Sequence, residues 1–278
     1  PEGRLTNQDL VALMDTSDEW IQKRTGVFER RVLDPDRQDE RLMATEAMRR
    51  ALEDAGLEGR DLDLLIHASV TSEMTCPSNA CRIAAELKMT PAGAFDLVAA
   101  CSGFVYGINV ADTMIRSGRH QRVGVIGSDA LTTHNDFTER SVSILFGDGA
   151  GAVVLERDED TSRGCVYQTM GANGEDWELL YMPNHPHEVP EWDRDNPIRL
   201  GCLRMHGREV YKFAVTKFQE VIEDALVKTG LSVDDISQFV CHQSNVRIIE
   251  SAKEKLGLPD EKVRVNIDKY GNTSAGSC

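Results

Sequence analysis

The sequence lacks the features of a membrane-spanning, secreted or metal-binding protein. No apolar run approaches the roughly 20 residues that a membrane helix needs, and no basic and apolar leader opens the chain. The 278 residues contain 7 cysteines, an odd number, and no C-x-x-C pair. We therefore expect neither a disulfide framework nor a metal site, and a reducing cytoplasmic compartment fits best.

Positive charge is also scarce. The chain has 31 Lys and Arg against 46 Asp and Glu, which gives a net charge of −15. This charge repels nucleic acids and anionic membranes, so neither is expected as a partner. An acidic protein partner could bind only on a local basic patch. The 41% hydrophobic content is that of an ordinary globular protein, and the length suggests about two domains.

Cys101 lies at a junction between two predicted elements. The run 94–98 reads as a strand, and the apolar residues from Phe104 to Ile115 are spaced as one face of a helix. Because a helix begins with free N–H groups and a positive dipole end, we expect it to lower the pKa of the Cys101 thiol. The pattern alone leaves open a second interpretation, in which this cysteine packs as a small hydrophobic residue.

A weak internal repeat predicts an α/β fold with largely parallel sheets. The first copy is a helix at 41–55 followed by a strand at 64–66, and the second is a helix at 213–228 followed by a strand at 239–241. A glycine follows each helix, as expected of a left-handed C-cap. A further helix and strand then follow in each copy, the last strand being predicted at 263–267.

The repeat places three chemically capable side chains at strand ends. Cys101 and Asn272 lie at comparable strand-to-helix junctions, and His242 directly follows the strand at 239–241. Because sites in α/β sheets form beyond the carboxyl ends of the strands, we expect these three residues to share one cleft. His67, which belongs to the first copy, is predicted to be structural.

The segment 156–200 differs in composition from the rest of the chain. It is rich in charge, proline and glycine, and we predict that it connects two halves and partly folds onto the surface. The predicted domains are an N-terminal half, 1–160, that carries Cys101, and a C-terminal half, 161–278, that carries His242 and Asn272.

Five motifs in order resemble those of the 3-oxoacyl-[acyl-carrier-protein] synthase III family, which are thiolase-fold condensing enzymes. They are D-T-S-D-E-W-I with R-T-G at 15–26, A-A-C-S-G-F-V-Y-G at 99–107, F-G-D-G-A-G-A at 146–152, H-Q-S-N-V-R-I-I at 242–249 and G-N-T-S-A at 271–275. The resemblance covers nearly the whole chain. It implies a thiolase-like α/β fold of two pseudo-symmetric halves, packed as alternating helix and sheet layers, and a homodimer.

The resemblance also implies a Cys-His-Asn active site and a reaction. Cys101 would accept an acyl group from acyl-coenzyme A, and His242 and Asn272 would stabilise the enolate formed when malonyl-acyl carrier protein loses carbon dioxide. The product would be 3-oxoacyl-acyl carrier protein, which initiates fatty-acid biosynthesis. Coenzyme A is then a substrate, and no cofactor is expected.

Further positions match binding residues of the family. Trp20, Arg24 and Arg140 match positions that contact coenzyme A, and Cys76 matches a position beside the acyl pocket. Cysteine is smaller than the aromatic residue often found at that position. We therefore expect room for a starter longer or more branched than acetyl.

The carrier-protein surface of the family covers three basic positions of this chain, Lys212, Arg247 and Lys255. The resemblance also implies that the chain is truncated at both ends, because relatives have an earlier strand and continue past the residue matching Cys278. Two alternatives stay open: an enzyme that loads acyl starters in secondary metabolism, and a catalytically silent protein that binds carrier protein.

Overall fold

Helices and strands alternate along most of the described part of the chain. The structure, a computed structural model, describes residues 1–34, 36, 39–160 and 162–278. The helices in this part are α1 (Asn7–Val11), α2 (Asp18–Thr25), α3 (Glu40–Ala55), α4 (Asn79–Glu86), α5 (Gly103–Arg116), α6 (Arg140–Ser143), α7 (Gly207–Thr229), α8 (Val246–Leu256) and α9 (Ile267–Tyr270). The strands are β1 (Gly3–Thr6), β2 (Glu29–Val32), β3 (Leu64–Ala68), β4 (Gly93–Leu97), β5 (Arg122–Ala130), β6 (Asp148–Glu156), β7 (Leu180–Tyr181), β8 (Arg204–Met205), β9 (Phe239–Val240) and β10 (Val263–Arg264). None of the described helices is long and apolar enough to cross a membrane.

The largest sheet is covered by helices on both faces. Its strand order is β4-β3-β5-β6, with β3 parallel to β4 and β5, and with β5 antiparallel to β6. Successive side chains of a strand point to opposite faces. Leu65 accordingly packs with Met48 of α3 and Ile83 of α4, whereas Ile66 packs with Phe104 of α5. Burial on both sides explains why β3 is apolar with little alternation.

The predicted repeat is present in the structure. The order α3, β3, α4, β4 recurs as α7, β9, α8, β10, and β9 pairs in parallel with β10 as β3 does with β4. Gly56 and Gly230 end α3 and α7 with φ values of 67° and 70°, so both are the predicted left-handed C-caps.

Two predicted boundaries were wrong by three residues or more. The helix predicted from 213 begins at Gly207, and the strand predicted over 263–267 ends at Arg264. The Gln243 side chain accepts the Asn266 N–H at 3.0 Å and donates to the Arg264 carbonyl at 3.0 Å. These side-chain bonds take the place of further backbone pairing between β10 and β9, so the strand ends at Arg264. Ile267 then begins a short helix.

The segment 156–200 is folded onto the rest of the molecule through a buried ion pair. The Arg204 guanidinium donates to both carboxylate oxygens of Asp193, at 2.8 and 2.7 Å, and the Tyr181 hydroxyl donates to the same carboxylate at 2.6 Å. β7 and β8 pair in antiparallel fashion beside this cluster. The division of the chain into domains at residue 160 stays a prediction.

His67 lies in a buried cluster of charged and polar groups, in line with its predicted structural role. Its Nε2 is 2.9 Å from Glu40 and its Nδ1 is 3.1 Å from Asp96. Burial lowers the pKa of His67, but the hydrogen bonds with the two carboxylates outweigh it and raise the pKa to about 10. A buried imidazolium therefore joins β3 to β4 and to the start of α3.

We predict that His67→Gln lowers the free energy of unfolding at neutral pH by about 3–5 kcal/mol, because it removes the cation from two buried carboxylates. A raised pKa in the folded state gives stabilisation that is complete below pH 6.5 and decreases as the pH rises to about 10. The difference between the wild type and His67→Gln, measured by urea unfolding, should therefore shrink over that range. His187→Gln, at an exposed histidine, is the control, and an equal loss of stability at every pH would contradict the account.

Candidate active site

Cys101 lies on a strained turn between a strand and a helix. A single 3₁₀ turn, Ala100–Ser102, joins the region after β4 to the start of α5. Ala100 has a φ of 46°, in the left-handed region that non-glycine residues seldom adopt. The Cys101 side chain is only partly exposed, and Ser274 lies beside it. The predicted position of this cysteine beside a helix N-terminus is thus confirmed.

The expected lowering of the thiol pKa was wrong. Burial raises the pKa of Cys101 to about 11, and the nearby charge of Asp129 raises it further, whereas the hydrogen bond with Ser274 lowers it. Desolvation of the thiolate therefore outweighs the effect of the helix. The cysteine is a thiol at neutral pH, and its proton needs an acceptor before the sulfur can act as a nucleophile.

His242 follows β9 after one intervening residue and carries a neutral ring. Its Nδ1 is 2.6 Å from the Ser277 hydroxyl. Burial lowers the pKa of His242 to about 4, so the ring is uncharged at neutral pH. The neighbouring Gln243 is buried and holds this segment through hydrogen bonds with the Cys241 and Arg264 carbonyls.

Asn272 is buried, and its amide is oriented by the backbone. The Asn272 N–H donates to the Leu145 carbonyl at 2.8 Å, and the Gly147 N–H donates to the Asn272 carbonyl at 3.0 Å. The side-chain oxygen accepts the Ser274 N–H at 2.9 Å. Because that contact uses the oxygen, the amide nitrogen is the end of the side chain that is left to donate to a ligand.

One segment, 272–277, brings the three residues together. It carries Asn272, its Ser277 hydroxyl contacts His242, and its 3₁₀ turn packs against the turn that carries Cys101. It also lies close to β5, where a Cβ on Gly127 would come within 2.2 Å of the Ala275 carbonyl oxygen. The predicted meeting of both strand-to-helix junctions is thus observed.

The sequence analysis missed a second layer of polar residues under this segment. Asp129 of β5 is fully buried, and its carboxylate accepts the Ala275 N–H at 3.2 Å, beside Ser274. It also accepts the Val70 N–H at 2.8 Å. Ser274 has a φ of 49°, a second strained residue beside Cys101. The G-N-T-S pattern contains Ser274, but nothing in the local sequence links it to Asp129.

Segment 272–277 packs against the F-G-D-G-A-G-A motif, most of which forms the start of β6. Residues from Asp148 onward belong to β6, and a Cβ on Gly149 would lie 2.8 Å from the Thr273 side chain. Glycine is therefore required at this position for the close approach of the two segments.

Trp20 on α2 is flanked by two guanidinium groups. The Cζ atoms of Arg24 and Arg140 each lie 5.1 Å from the Trp20 ring centroid. Arg140 also donates to the Asp15 carbonyl at 2.6 Å, and Asn245 donates to the Arg24 carbonyl at 3.1 Å. The structure thus gathers the three residues predicted to bind coenzyme A and connects them to the segment that begins at His242.

Comparison with known proteins identifies the family. Family models described as 3-oxoacyl-[acyl-carrier-protein] synthase III and its C-terminal part match residues 95–174 and 226–278. Beta-ketoacyl-[acyl-carrier-protein] synthase III of Caldanaerobacter subterraneus is 44% identical over 277 residues, which cover 100% of this chain and 83% of the relative. The chain belongs to the 3-oxoacyl-[acyl-carrier-protein] synthase III family.

Solved structures agree with this assignment. The crystal structure of the synthase III from Aquifex aeolicus superposes with a TM-score of 0.90 at 44% identity, covering 100% of this chain and 84% of that one. The priming beta-ketosynthase of the R1128 polyketide pathway has a TM-score of 0.87 at 33% identity, covering 100% and 81%. The fold is therefore the thiolase-like α/β fold of this family, as predicted.

The basic residues matched to the carrier-protein surface of the synthase III family lie on two packed helices. Lys212 is on α7, and Arg247 and Lys255 are on α8. The Arg247 guanidinium lies 4.9 Å from the Tyr211 ring centroid, and Lys212 forms an ion pair with Glu209 at 2.8 Å. The ion pair with Glu209 offsets the charge of Lys212, so most of the positive charge of this surface comes from Arg247 and Lys255.

Cys76, matched to the acyl-pocket position of the family, lies in the irregular segment between β3 and α4. Its side chain is exposed in the single chain. The structure describes no contact between Cys76 and Cys101, and the role of Cys76 stays a prediction. Among the described residues, no group of three or more His, Cys, Asp and Glu side chains could hold a metal ion.

We predict that Cys101 reacts with iodoacetamide at a rate that keeps rising above pH 9.0, the usual thiol value, toward its raised pKa of about 11. Mass spectrometry of the Cys101 peptide at a series of pH values measures this, and Cys101→Ser identifies the labelled peptide. A rate that levels off below pH 9.0 would instead support the lowered pKa that the helix N-terminus alone predicts.

Proposed function

We propose that this protein condenses an acyl-coenzyme A starter with malonyl-acyl carrier protein to give 3-oxoacyl-acyl carrier protein, coenzyme A and carbon dioxide. This reaction initiates fatty-acid biosynthesis. The proposal rests on membership of the synthase III family together with one structural observation. Segment 272–277 carries Asn272, contacts His242 through the Ser277 hydroxyl and packs against the turn that carries Cys101.

The first half of the proposed reaction is acyl transfer to Cys101. The thiol gives up its proton, the sulfur attacks the thioester carbonyl, and coenzyme A leaves. A covalent acyl-enzyme divides a difficult condensation into two easier steps. The neutral ring of His242 fits this half, because an imidazolium could not accept a proton.

The second half is decarboxylation followed by carbon–carbon bond formation. Loss of carbon dioxide from the malonyl group leaves an enolate whose oxygen needs hydrogen-bond donors. The Asn272 amide nitrogen supplies one, and Nε2 of His242 supplies another once it carries a proton. The enolate carbon then attacks the acyl carbonyl and displaces the Cys101 sulfur. The fixed Asn272 amide suits this task, since a donor that is already oriented costs no reorganisation.

We propose that the substrates approach from the two sites already described. Trp20, Arg24 and Arg140 would hold the adenine and phosphates of coenzyme A, and Lys212, Arg247 and Lys255 would contact the acidic carrier protein. Because this contact depends on the attraction between a local basic patch and an acidic protein, it should weaken with salt, and the KM for malonyl-carrier protein at increasing ionic strength measures this.

The exposed Cys76 leads us to propose an acyl starter longer or more branched than acetyl. A small side chain at this position leaves space that an aromatic ring would fill. Acylation rates with acetyl-coenzyme A and with its longer and branched homologues measure the preference, and a clear preference for acetyl would refute it. We also propose a cytoplasmic homodimer, which ultracentrifugation of the purified protein and fractionation of cells test separately.

A second candidate is the loading of starters for polyketide synthesis. The 33% identity to the R1128 priming beta-ketosynthase over the whole chain supports it. The chemistry at Cys101 would be the same, so the two functions differ only in the starter and in the carrier protein. Condensation rates with carrier proteins of the two pathways separate them.

We predict that the wild type becomes acylated on Cys101 when incubated with acyl-coenzyme A, and that added malonyl-carrier protein then converts the acyl group to a 3-oxoacyl product. Asn272→Ala should still acylate but lose about 10²–10³ in the condensation rate, because one enolate donor is gone. Intact-protein and peptide mass spectra follow both steps.

Cys101→Ala is the matched control for this experiment, and it should show no acyl mass. Acylation without condensation in the wild type would support a transferase, and an absence of acylation would support a silent protein. Loss of acylation in Asn272→Ala would contradict the role that we assign to Asn272.

We predict that Trp20→Ala raises the KM for acyl-coenzyme A by about 2–30-fold, which corresponds to a cation–π or stacking contact of about 0.5–2 kcal/mol. The rate with the matching acyl-pantetheine thioester, which lacks the adenine nucleotide, should not change. Steady-state kinetics with both donors measure the difference. An equal loss with both would mean that Trp20 is a packing residue and not part of the nucleotide site.

A further inference from the structure

Arg30 of β2 is a fully buried arginine that neither the motifs nor the proposed reaction explains. Its Nη1 donates to the Leu5 carbonyl at 3.2 Å and to the Asn7 side-chain oxygen at 2.9 Å, and its Nη2 donates to the Ile144 carbonyl at 2.8 Å. None of these partners is a carboxylate. In the described part of the chain, the guanidinium is therefore held by neutral oxygens.

The buried charge of Arg30 costs free energy, because burial removes its hydration and its hydrogen-bond partners carry no opposite charge. Burial lowers the pKa of Arg30 to about 10, although the charge of Asp9 opposes this, so the side chain still carries its charge at neutral pH. An apolar side chain of similar volume would fill the core at a lower cost. The reason for an arginine therefore lies in what its hydrogen bonds hold in place.

The carbonyl that Nη2 holds lies in segment 144–147, which is paired with Asn272. The Asn272 N–H donates to the Leu145 carbonyl at 2.8 Å, and the Gly147 N–H donates to the Asn272 carbonyl at 3.0 Å. Both backbone groups of Asn272 are thus bonded to this one segment. Arg30 fixes the end of the segment where it begins.

The stem of Arg30 contacts both sides of this pairing. A Cβ on Gly147 would lie 2.9 Å from the Arg30 Cβ, and a Cβ on Gly271 would lie 3.1 Å from it. Gly271 directly precedes Asn272 in the chain. The same side chain therefore locates the Asn272 backbone twice, through a hydrogen bond to its partner segment and through packing against its neighbour.

The far side of the guanidinium is anchored by Asn7. This side chain is itself buried, and its Nδ2 donates to the Val27 carbonyl and to the Asp18 carboxylate, each at 2.8 Å. Because the amide nitrogen is engaged there, the amide oxygen faces Arg30. The guanidinium thus joins the first part of the chain, which is fixed on one side, to segment 144–147 on the other.

We propose that Arg30 is a positioning residue for the condensation step, which fixes segment 144–147 and through it the orientation in which the Asn272 amide meets the enolate oxygen. The inference rests on the proposed function and adds a residue to it. A group misplaced by about 1 Å can cost about 10²-fold in rate. The hydrogen bonds of Arg30 with the described residues reach neither Cys101 nor His242, so acyl transfer should not depend on it.

A cycle of four proteins tests the route through Asn272: the wild type, Arg30→Met, Asn272→Ala and the double variant. Methionine keeps an unbranched stem but cannot donate the hydrogen bonds of the guanidinium. We expect Arg30→Met to become acylated on Cys101 at the wild-type rate and to lose about tenfold or more in the maximal condensation rate, with an unchanged KM for malonyl-carrier protein. The double variant should be no slower than Asn272→Ala, because a residue that acts through another adds nothing once the other is gone.

Arg4→Met is the matched control, at an exposed arginine of the neighbouring strand β1 that pairs with Glu29 at 3.5 Å. It should change neither step. Equal losses of acylation and condensation in Arg30→Met would overturn the proposal, since a general loosening of the core affects both. A wild-type condensation rate in Arg30→Met would overturn it too, as would losses that add in the double variant.

Nuclear magnetic resonance separates this inference from the proposed function, because it needs no activity. In protein labelled with 15N-asparagine, the side-chain resonance of Asn272 is assigned by its loss in Asn272→Ala. We expect Arg30→Met to shift this resonance and Arg4→Met to leave it in place. If the wild type condenses but the resonance does not move, the inference falls and the proposed function stands. If the resonance moves but the wild type transfers no acyl group, the proposed function falls and the positioning of Asn272 by Arg30 stands.

Arg30→Lys takes the place of Arg30→Met if thermal unfolding shows that the methionine variant does not fold. Lysine keeps the buried charge but lacks the planar fork that reaches separate acceptors. We expect the same pattern with a smaller loss: normal acylation, slower condensation and no added loss in the Asn272→Ala background. An Arg30→Lys protein that is slowed equally in both steps would overturn the proposal.

Discussion

The close packing of segment 272–277 against β5 and β6 is the contact on which the rest of the site depends. Gly127 and Gly149 lack the Cβ atoms that would collide with this segment, and Asp129 holds it from below by accepting the Ala275 N–H. The same segment carries Asn272 and contacts His242. Because one short piece of chain contacts every candidate catalytic residue, a shift of the segment would displace all of them together.

Burial sets the protonation of the site before any substrate binds. It raises the pKa of the Cys101 thiol and lowers the pKa of His242, so both groups are uncharged at neutral pH. A neutral thiol and a neutral imidazole avoid the cost of a buried ion pair. Charge then develops only during the reaction, where the acyl carbonyl and the enolate oxygen can share it with the donors of the site.

Local features and repeated features of the fold could be predicted from the sequence. Gly56 and Gly230 marked helix ends because a left-handed C-cap strongly favours glycine. The ordered motifs pointed to Cys101, His242 and Asn272 as candidate catalytic residues. The pKa direction of Cys101 could not be predicted, since burial depends on distant parts of the chain. Ser277 and Asp129 were missed for the same reason, because their partners are far away in sequence.

The most direct test of the central claim is a crystal structure of the protein acylated on Cys101 with a non-decarboxylating malonyl thioester analogue bound. The account predicts that the thioester oxygen of the analogue lies between Nε2 of His242 and the Asn272 amide nitrogen, at about 2.7–3.1 Å from each. The reacting carbon should then face the acyl group. An analogue oxygen held by neither residue, or an acyl group on another cysteine, would contradict it.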